Sequence, residues 1–267
     1  MATAEKVLRE KEFHNEWARS LRLADLRVRE SFEACTAIEN RYALKQMGDL
    51  RGKRILDLGC GAGESSVYFA LKGAKVYACD VSDEFLKVAA SLAGEFGVNI
   101  HPFQIDAGRL PFEDEAFDFV FGNGLLHHVE PVATCTEVRR VLRAGGKAVF
   151  IEPLPYNPAI NVYRVMAKAV RTEDEKPLSF GELRKISPLF NRYEHREFWF
   201  FSLFIFFYFF LIKRWHPGKV RYWKKVIEEA HTFEGFFGVL QSLDAFFLKF
   251  VPILRPFCWN TVLTLTK

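Results

Sequence analysis

The chain has 267 residues and is short of several things that would place it in a class. Its five cysteines, Cys35, Cys60, Cys79, Cys135 and Cys258, form no CxxC pair and no metal-ligand spacing. An odd, scattered set reads as free thiols in a reducing compartment and excludes a disulfide scaffold. No metal site is expected. The net charge is only +4, milder than the basic excess usual in a nucleic-acid binder, so the total charge argues for nothing by itself. The opening MATAEKVLREKEFHNEWARS lacks the apolar core of a signal peptide and carries too many acids for a transit peptide. A cytoplasmic protein is expected, or one peripheral on the cytosolic face of a membrane. There is no internal repeat, and 49% hydrophobic with 26% charged residues excludes a disordered chain.

What is plentiful is phenylalanine, with 28 copies concentrated in the last third. Before that third, short apolar runs alternate with helical patterns. Residues 5–46 contain no Pro or Gly and read as about two amphipathic helices. Strands are expected at 54–59, 75–80, 99–106, 117–124 and 147–153, with helices at 64–73, 82–97 and 132–146 between them. This rhythm predicts a doubly wound, mostly parallel α/β sheet. In such a sheet ligands bind beyond the carboxyl ends of the strands. Asp57, Asp80, Asp106, Asn123 and Glu152 all fall at or near those ends. Five polar residues in phase point to a shared ligand site.

The loop DLGCGAGES, 57–65, places glycines at 59, 61 and 63 before a helix. Glycine lets the backbone turn sharply and approach a ligand. The third glycine comes early for a dinucleotide motif, and Glu64 stands where that motif has its last glycine. An acid at the helix mouth repels a pyrophosphate and suits a ligand with an amino group and no phosphate. Asp80 can accept from both hydroxyls of a ribose. Asp106 suits the exocyclic amine of an adenine.

The order ILDLGCGAG, CDVS, QIDAGRLPFEDEAFDFVFGNGLLHHV and EVRRVLRAGGKAVFIEP resembles the class I S-adenosylmethionine-dependent methyltransferases, most of all the branch with quinone and other small-molecule methylases. The resemblance covers about residues 50–155. It implies S-adenosylmethionine as cofactor and S-adenosylhomocysteine as product. It places Asp57, Gly59, Cys60, Gly61 and Gly63 around the methionine part and Asp80 and Val81 at the ribose. Asp106 and Ala107 flank the adenine, and Asn123 and Gly124 close the pocket. It also implies a reversed last strand, which suits 258–266, and N-terminal helices over the cofactor, a role open to Tyr42. Three parts are expected: a helical cap over 1–48, the core over 49–201 plus 258–267, and a hydrophobic helical insertion over 202–257.

Methyl transfer from a sulfonium is an in-line displacement, so the protein mainly supplies alignment and desolvation. A base is needed only when the nucleophile must lose a proton. His128, His127 and Glu152 are the candidate catalytic residues, each with a structural alternative: packing, capping or bonding to backbone. Tyr156, Asn157, Arg164 and Arg171 are candidates for the acceptor side. The carboxylates of FEDEAFD, 112–118, read as a solvated turn.

Residues 198–212 hold ten aromatics in fifteen positions. As a helix they are about 22 Å long, short of the roughly 30 Å hydrocarbon core. The block can be core, a dimer seam, a lid or an interfacial segment. KRWHPGKVRYWKK, 213–225, adds six Lys or Arg, two Trp, one Tyr and no acid, a composition suited to lipid headgroups. A lid over the acceptor site with a lipid-facing outer side is favoured over self-packing alone. The expected activity is methylation of a lipophilic quinone-, polyketide-, isoprenoid- or lipid-like molecule, with no nucleic-acid partner. The alternatives are C-methylation of an alkene or activated ring, a non-catalytic cofactor-binding membrane adaptor, and a nicotinamide oxidoreductase, which the glycine spacing disfavours.

Overall fold

The computed structural model describes residues 4–167 and 176–267; Arg171 lies outside them. Seven strands form one sheet in the order β3-β2-β1-β4-β5-β7-β6. They are β1 (Arg54–Leu58), β2 (Lys75–Asp80), β3 (Ile100–Gln104), β4 (Phe117–Asn123), β5 (Leu142–Pro153), β6 (Arg192–Phe198) and β7 (Asn260–Thr266). The first five pair in parallel, and β7 runs antiparallel to both β5 and β6. This is the doubly wound sheet with a reversed last strand that the sequence predicts.

The central strands are buried on both faces, whereas the edge strands β3 and β6 are largely exposed, and the apolar residues of the central strands divide by period two. Ile55, Phe119, Phe121 and Val149 enter one cluster. It is covered by α2 (Glu30–Glu33), α3 (Ile38–Met47), α4 (Glu64–Leu71) and α5 (Asp83–Glu95). Leu56, Leu58, Val120 and Phe150 enter a second cluster on the other face. That face is covered by α6 (Pro131–Val141) and, beyond α7 (Pro158–Met166), by α8 (Phe180–Ile186). Ahead of them all, α1 (Ala4–Arg19) lies along α5. Helix starts follow capping chemistry. The Ser82 hydroxyl accepts from Phe85 N at 3.1 Å, and Ser179 with Glu182 closes a capping box on α8.

Two expectations fail locally. The helix expected over 132–146 ends at Val141, and β5 already begins at Leu142. Its register against β4 slips between Phe117 and Phe119, where Gly145 adopts φ 74°. Asp118 is not part of a solvated turn. It is buried at the start of β4, where Oδ2 accepts from Arg54 N at 2.8 Å and Oδ1 meets Arg143 Nη1 at 2.5 Å.

The insertion builds a third cluster from α9 (Phe204–Leu211), α10 (Tyr222–Glu228) and α11 (Ala230–Phe250). In α9, Ile205, Phe206 and Phe209 face inward, against Tyr222, Phe233 and Trp259. Phe204, Phe207, Phe210 and Leu211 face outward and are exposed. Buried Asp244 of α11 ties down the approach to α9, accepting from Phe201 N at 2.6 Å and Ser202 Oγ at 2.6 Å. Thr36 Oγ1 donates to Val226 O at 2.7 Å, which joins α10 to the N-terminal segment.

Candidate functional site

A cavity of about 1210 Å³ runs along the carboxyl ends of β1, β2 and β4 and continues between α1 and α10. Small-molecule pockets usually measure about 300–1,000 Å³. The space therefore suits a cofactor and a second reactant together.

At the sheet end the glycine loop sets the geometry. Gly61 (φ 51°) has only open space where a Cβ would stand, so the backbone there is bare to the cavity. Its N–H donates to Asp80 Oδ2 at 2.9 Å, and Ser82 N–H donates to Asp80 Oδ1 at 2.9 Å. Both oxygens are thus oriented, and each keeps a further lone pair for a ligand. Burial holds the Asp80 carboxyl above its ordinary pKa. Asp57, at the end of β1, is buried and accepts from Ser66 Oγ at 2.5 Å. Burial, opposed by the Ser66 bond and reinforced by Asp80, pushes its pKa up to about 7. A cationic ammonium would relieve this crowding of acids.

Gly59, Cys60, Val81, Asp106, Ala107, Asn123 and Gly124 line the same cavity. Gly59 and Cys60 donate their N–H groups to Cys79 O at 2.8 and 2.9 Å. Asp106 is exposed, with Oδ1 accepting from Gly108 N at 2.8 Å. Gly124 holds its turn by donating to Ile151 O at 2.8 Å.

Two cofactor candidates lie elsewhere. Gly63 does not line the cavity; a Cβ there would sit 2.5 Å from Ala89 Cβ, so this glycine serves helix packing between α4 and α5. Tyr42 is also off the cavity. Its ring packs on Phe198 at 5.4 Å under the Arg196 guanidinium. Glu39 and Asn40, at a different angle on α3, line the cavity instead.

Residues 56–150 match a family described as methyltransferase domain. The demethylmenaquinone methyltransferase of Clavibacter sepedonicus is 41% identical over 110 residues, 40% of this chain and 44% of the relative. The ubiquinone biosynthesis O-methyltransferase of Alkalilimnicola ehrlichii is 34% identical over 127 residues, 47% of this chain and 51% of the relative. Residues 56–150 of this chain are thus a methyltransferase domain, in line with the resemblance of its motifs to the class I enzymes. The chain spans about half the length of these relatives. Among solved structures, the YcgJ protein of Bacillus subtilis aligns with a TM-score of 0.52 at 21% identity, over 85% of this chain and 98% of that one. At that identity the likeness is one of fold.

Just beyond the matched residues, Glu152 departs from expectation. Fully buried in β5, it does not line the cavity. Its Oε1 accepts from Leu125 N at 3.0 Å and Leu126 N at 2.7 Å, and its Oε2 meets His127 Nδ1 at 2.7 Å. It is a positioning residue that anchors the loop after β4. His127 and His128 do line the cavity, with ring centroids 4.2 Å apart. His128 Nδ1 lies 3.3 Å from Glu10 Oε2 on α1.

Of the acceptor-side candidates, Asn157 caps α7, accepting from Ile160 N at 3.1 Å. Arg164 Nη2 donates to Leu154 O at 2.9 Å, and the Tyr156 hydroxyl accepts from Phe180 N at 3.0 Å. None of the three lines the cavity. The residues that do, and that sequence reasoning missed, are Glu10, His14 and Trp17 of α1 and Arg221, Trp223 and Lys224 at α10. The i, i+4, i+7 spacing of the α1 set was a readable sign of one helix face.

Proposed function

We propose that the protein transfers a methyl group from S-adenosylmethionine to a lipophilic small molecule. One observation carries this reading: a single cavity joins the carboxylates of the glycine-loop end to a chamber walled by Phe13, Trp17, Trp199, Trp223 and Trp259. Both halves are needed for methyl transfer, and a binding-only adaptor has no use for the second. The residues fit the cofactor, with an open backbone at Gly61, an oriented carboxylate at Asp80 and a strained acid at Asp57. When bound, the cofactor supplies an electrophilic methyl group on sulfur.

The chain's own residues do the rest. Asp80 accepts from the ribose hydroxyls, Asp57 faces the amino group, and Asp106 accepts from the adenine amine. The aromatic walls exclude water and hold the acceptor in line. Where the nucleophile is a hydroxyl, His127 takes its proton at Nε2. Glu152, bonded to Nδ1, sets the tautomer and stabilises the imidazolium that forms. The relatives named for menaquinone and ubiquinone biosynthesis support a quinone-like acceptor. C-methylation of an activated ring is the second reading, since the same aromatic walls would hold such a ring.

The work takes place at a membrane surface. Phe236, Val239, Leu243, Phe246 and Phe250 form an exposed stripe on α11, and Phe204, Phe207 and Phe210 are exposed on α9. Lys213, Arg214 and Lys219 lie exposed on the adjoining segment. Among the described residues, no helix is long and apolar enough to cross a membrane. Attachment is therefore peripheral, with the insertion as a lid whose α10 forms the inner wall.

Incubation with methyl-labelled S-adenosylmethionine and a lipid extract tests the proposal. A labelled, solvent-extractable product is expected, and O-linked label should fall at least about a hundredfold in H127Q. Label on carbon, with H127Q fully active, favours the second reading. No labelled product from any extract contradicts both.

A further inference from the structure

The cavity wall at α10 carries two cations that methyl transfer alone leaves without a task. Arg221 and Lys224 both line the cavity. The Arg221 guanidinium lies 3.7 Å from the centroid of the Trp17 ring. Lys224 Nζ lies 5.7 Å from the Trp17 centroid and 5.5 Å from that of Trp223. Neither cation makes an ion pair with a carboxylate among the described residues.

The acids that face them are engaged elsewhere. Asp25 takes Arg22 through two bonds of 2.7 and 2.8 Å. Glu64 Oε1 accepts from Arg27 N at 3.1 Å, and Glu228 pairs with Lys225. Burial pushes Arg221 down to about 10. Burial also lowers Lys224, offset in part by Glu64, Glu228 and Asp25 and worsened by Arg221. Charges withdrawn from water are stable when paired. An indole face supplies part of that stabilisation. A guanidinium on an indole still presents a planar fork of donors, the geometry that matches carboxylate or phosphate.

We propose that Arg221 and Lys224 hold an anionic group of the methyl acceptor, a carboxylate or phosphate, while its flat apolar body lies along Trp17 and Trp223. This deepens the methyltransferase reading and rests on it for the word acceptor. The substrate class becomes an amphiphile: the acid sits at α10, and the nucleophile points towards the sheet. The cofactor's own carboxylate shares this chemistry. The acceptor is the better occupant because the two cations stand among indole rings, whereas Asp57 and Asp80 line the cofactor end.

The test is calorimetric, on the full chain and on R221Q, K224Q and R221K, with thermal unfolding run alongside to show that each is folded. The probes are S-adenosylhomocysteine, 5′-methylthioadenosine, which lacks the amino-acid part, and 2-naphthoate against neutral 2-naphthamide with S-adenosylhomocysteine present. Wild type is expected to bind naphthoate about tenfold or more tighter than naphthamide. R221Q and K224Q should each lose about tenfold on naphthoate alone, and R221K should recover part of it. Equal binding of the two naphthalenes by wild type, or unchanged naphthoate binding in both Gln variants, overturns the proposal. So does loss confined to S-adenosylhomocysteine with methylthioadenosine unaffected, which gives the site to the cofactor's carboxylate. A wild type that binds naphthoate selectively but no S-adenosylhomocysteine sinks the methyltransferase reading and leaves the anion site standing.

Discussion

The Asp80 carboxylate is aimed before any ligand arrives, because amides on two sides, Gly61 and Ser82, each take one oxygen. Preorganisation of this kind lets a hydroxyl pair bind without further ordering. Loss of a charged hydrogen-bond acceptor costs about 1.5–3 kcal/mol. Asp57 gives a pH signature. Its folded pKa of about 7 stands above its ordinary value of 3.8, so the folded state holds the proton more tightly than the unfolded chain. Stability of the ligand-free protein should therefore be highest below pH 4, for this group, and decline as pH rises to about 7. Urea unfolding at pH 5 and pH 8 should show that decline in wild type and a flatter profile in D57N. An identical slope in both would remove Asp57 as the cause. At this scale the sequence was legible where backbone geometry demands a residue type. Gly59 and Gly61 need positive φ, and acids end strands. It was not legible where a side chain's direction decides. Glu152 ends its strand as expected but turns into the core, and Tyr42 misses the cavity because helix rotation is not written in its neighbours.

Among the elements, α9 answers how so many phenylalanines coexist with a soluble-looking core: one face is dry and the other is bare. Phe209 is fully buried, whereas Phe207 is 46% exposed. F209A should cost about 3–5 kcal/mol in a denaturant titration, and F207S should stay within about 0.5 kcal/mol of wild type. Comparable losses would mean that both faces are covered in solution. The α11 stripe makes a separate prediction. Sedimentation with anionic vesicles should fall several-fold in F246S/F250S and fall further with R214Q/K219Q, the latter part only at low salt. Unchanged pelleting of the fourfold variant would exclude this face as the lipid contact. The existence of these helices was readable from composition, but the fate of the basic strip was not. Its cations divide by place, with Arg221 and Lys224 at the start of α10 lining the cavity and Arg214 and Lys219 exposed on the segment before it.

For the whole molecule, the seven-stranded order and the reversed β7 bring three distant stretches to one opening: α1, the loops after β1, β2 and β4, and α10. The parallel half was plain from alternating strands and helices, because each strand announces its end with a Gly or an acid. The enclosure was not, because it depends on contacts such as Thr36 with Val226, 190 residues apart in sequence. The central claim is that S-adenosylmethionine lies across those strand ends with its ribose on Asp80. Isothermal titration with S-adenosylhomocysteine tests it most directly. One site per chain is expected for wild type, and about tenfold or weaker affinity in folded D80N. No binding heat from folded wild type across temperatures, or D80N binding as tightly as wild type, would contradict it.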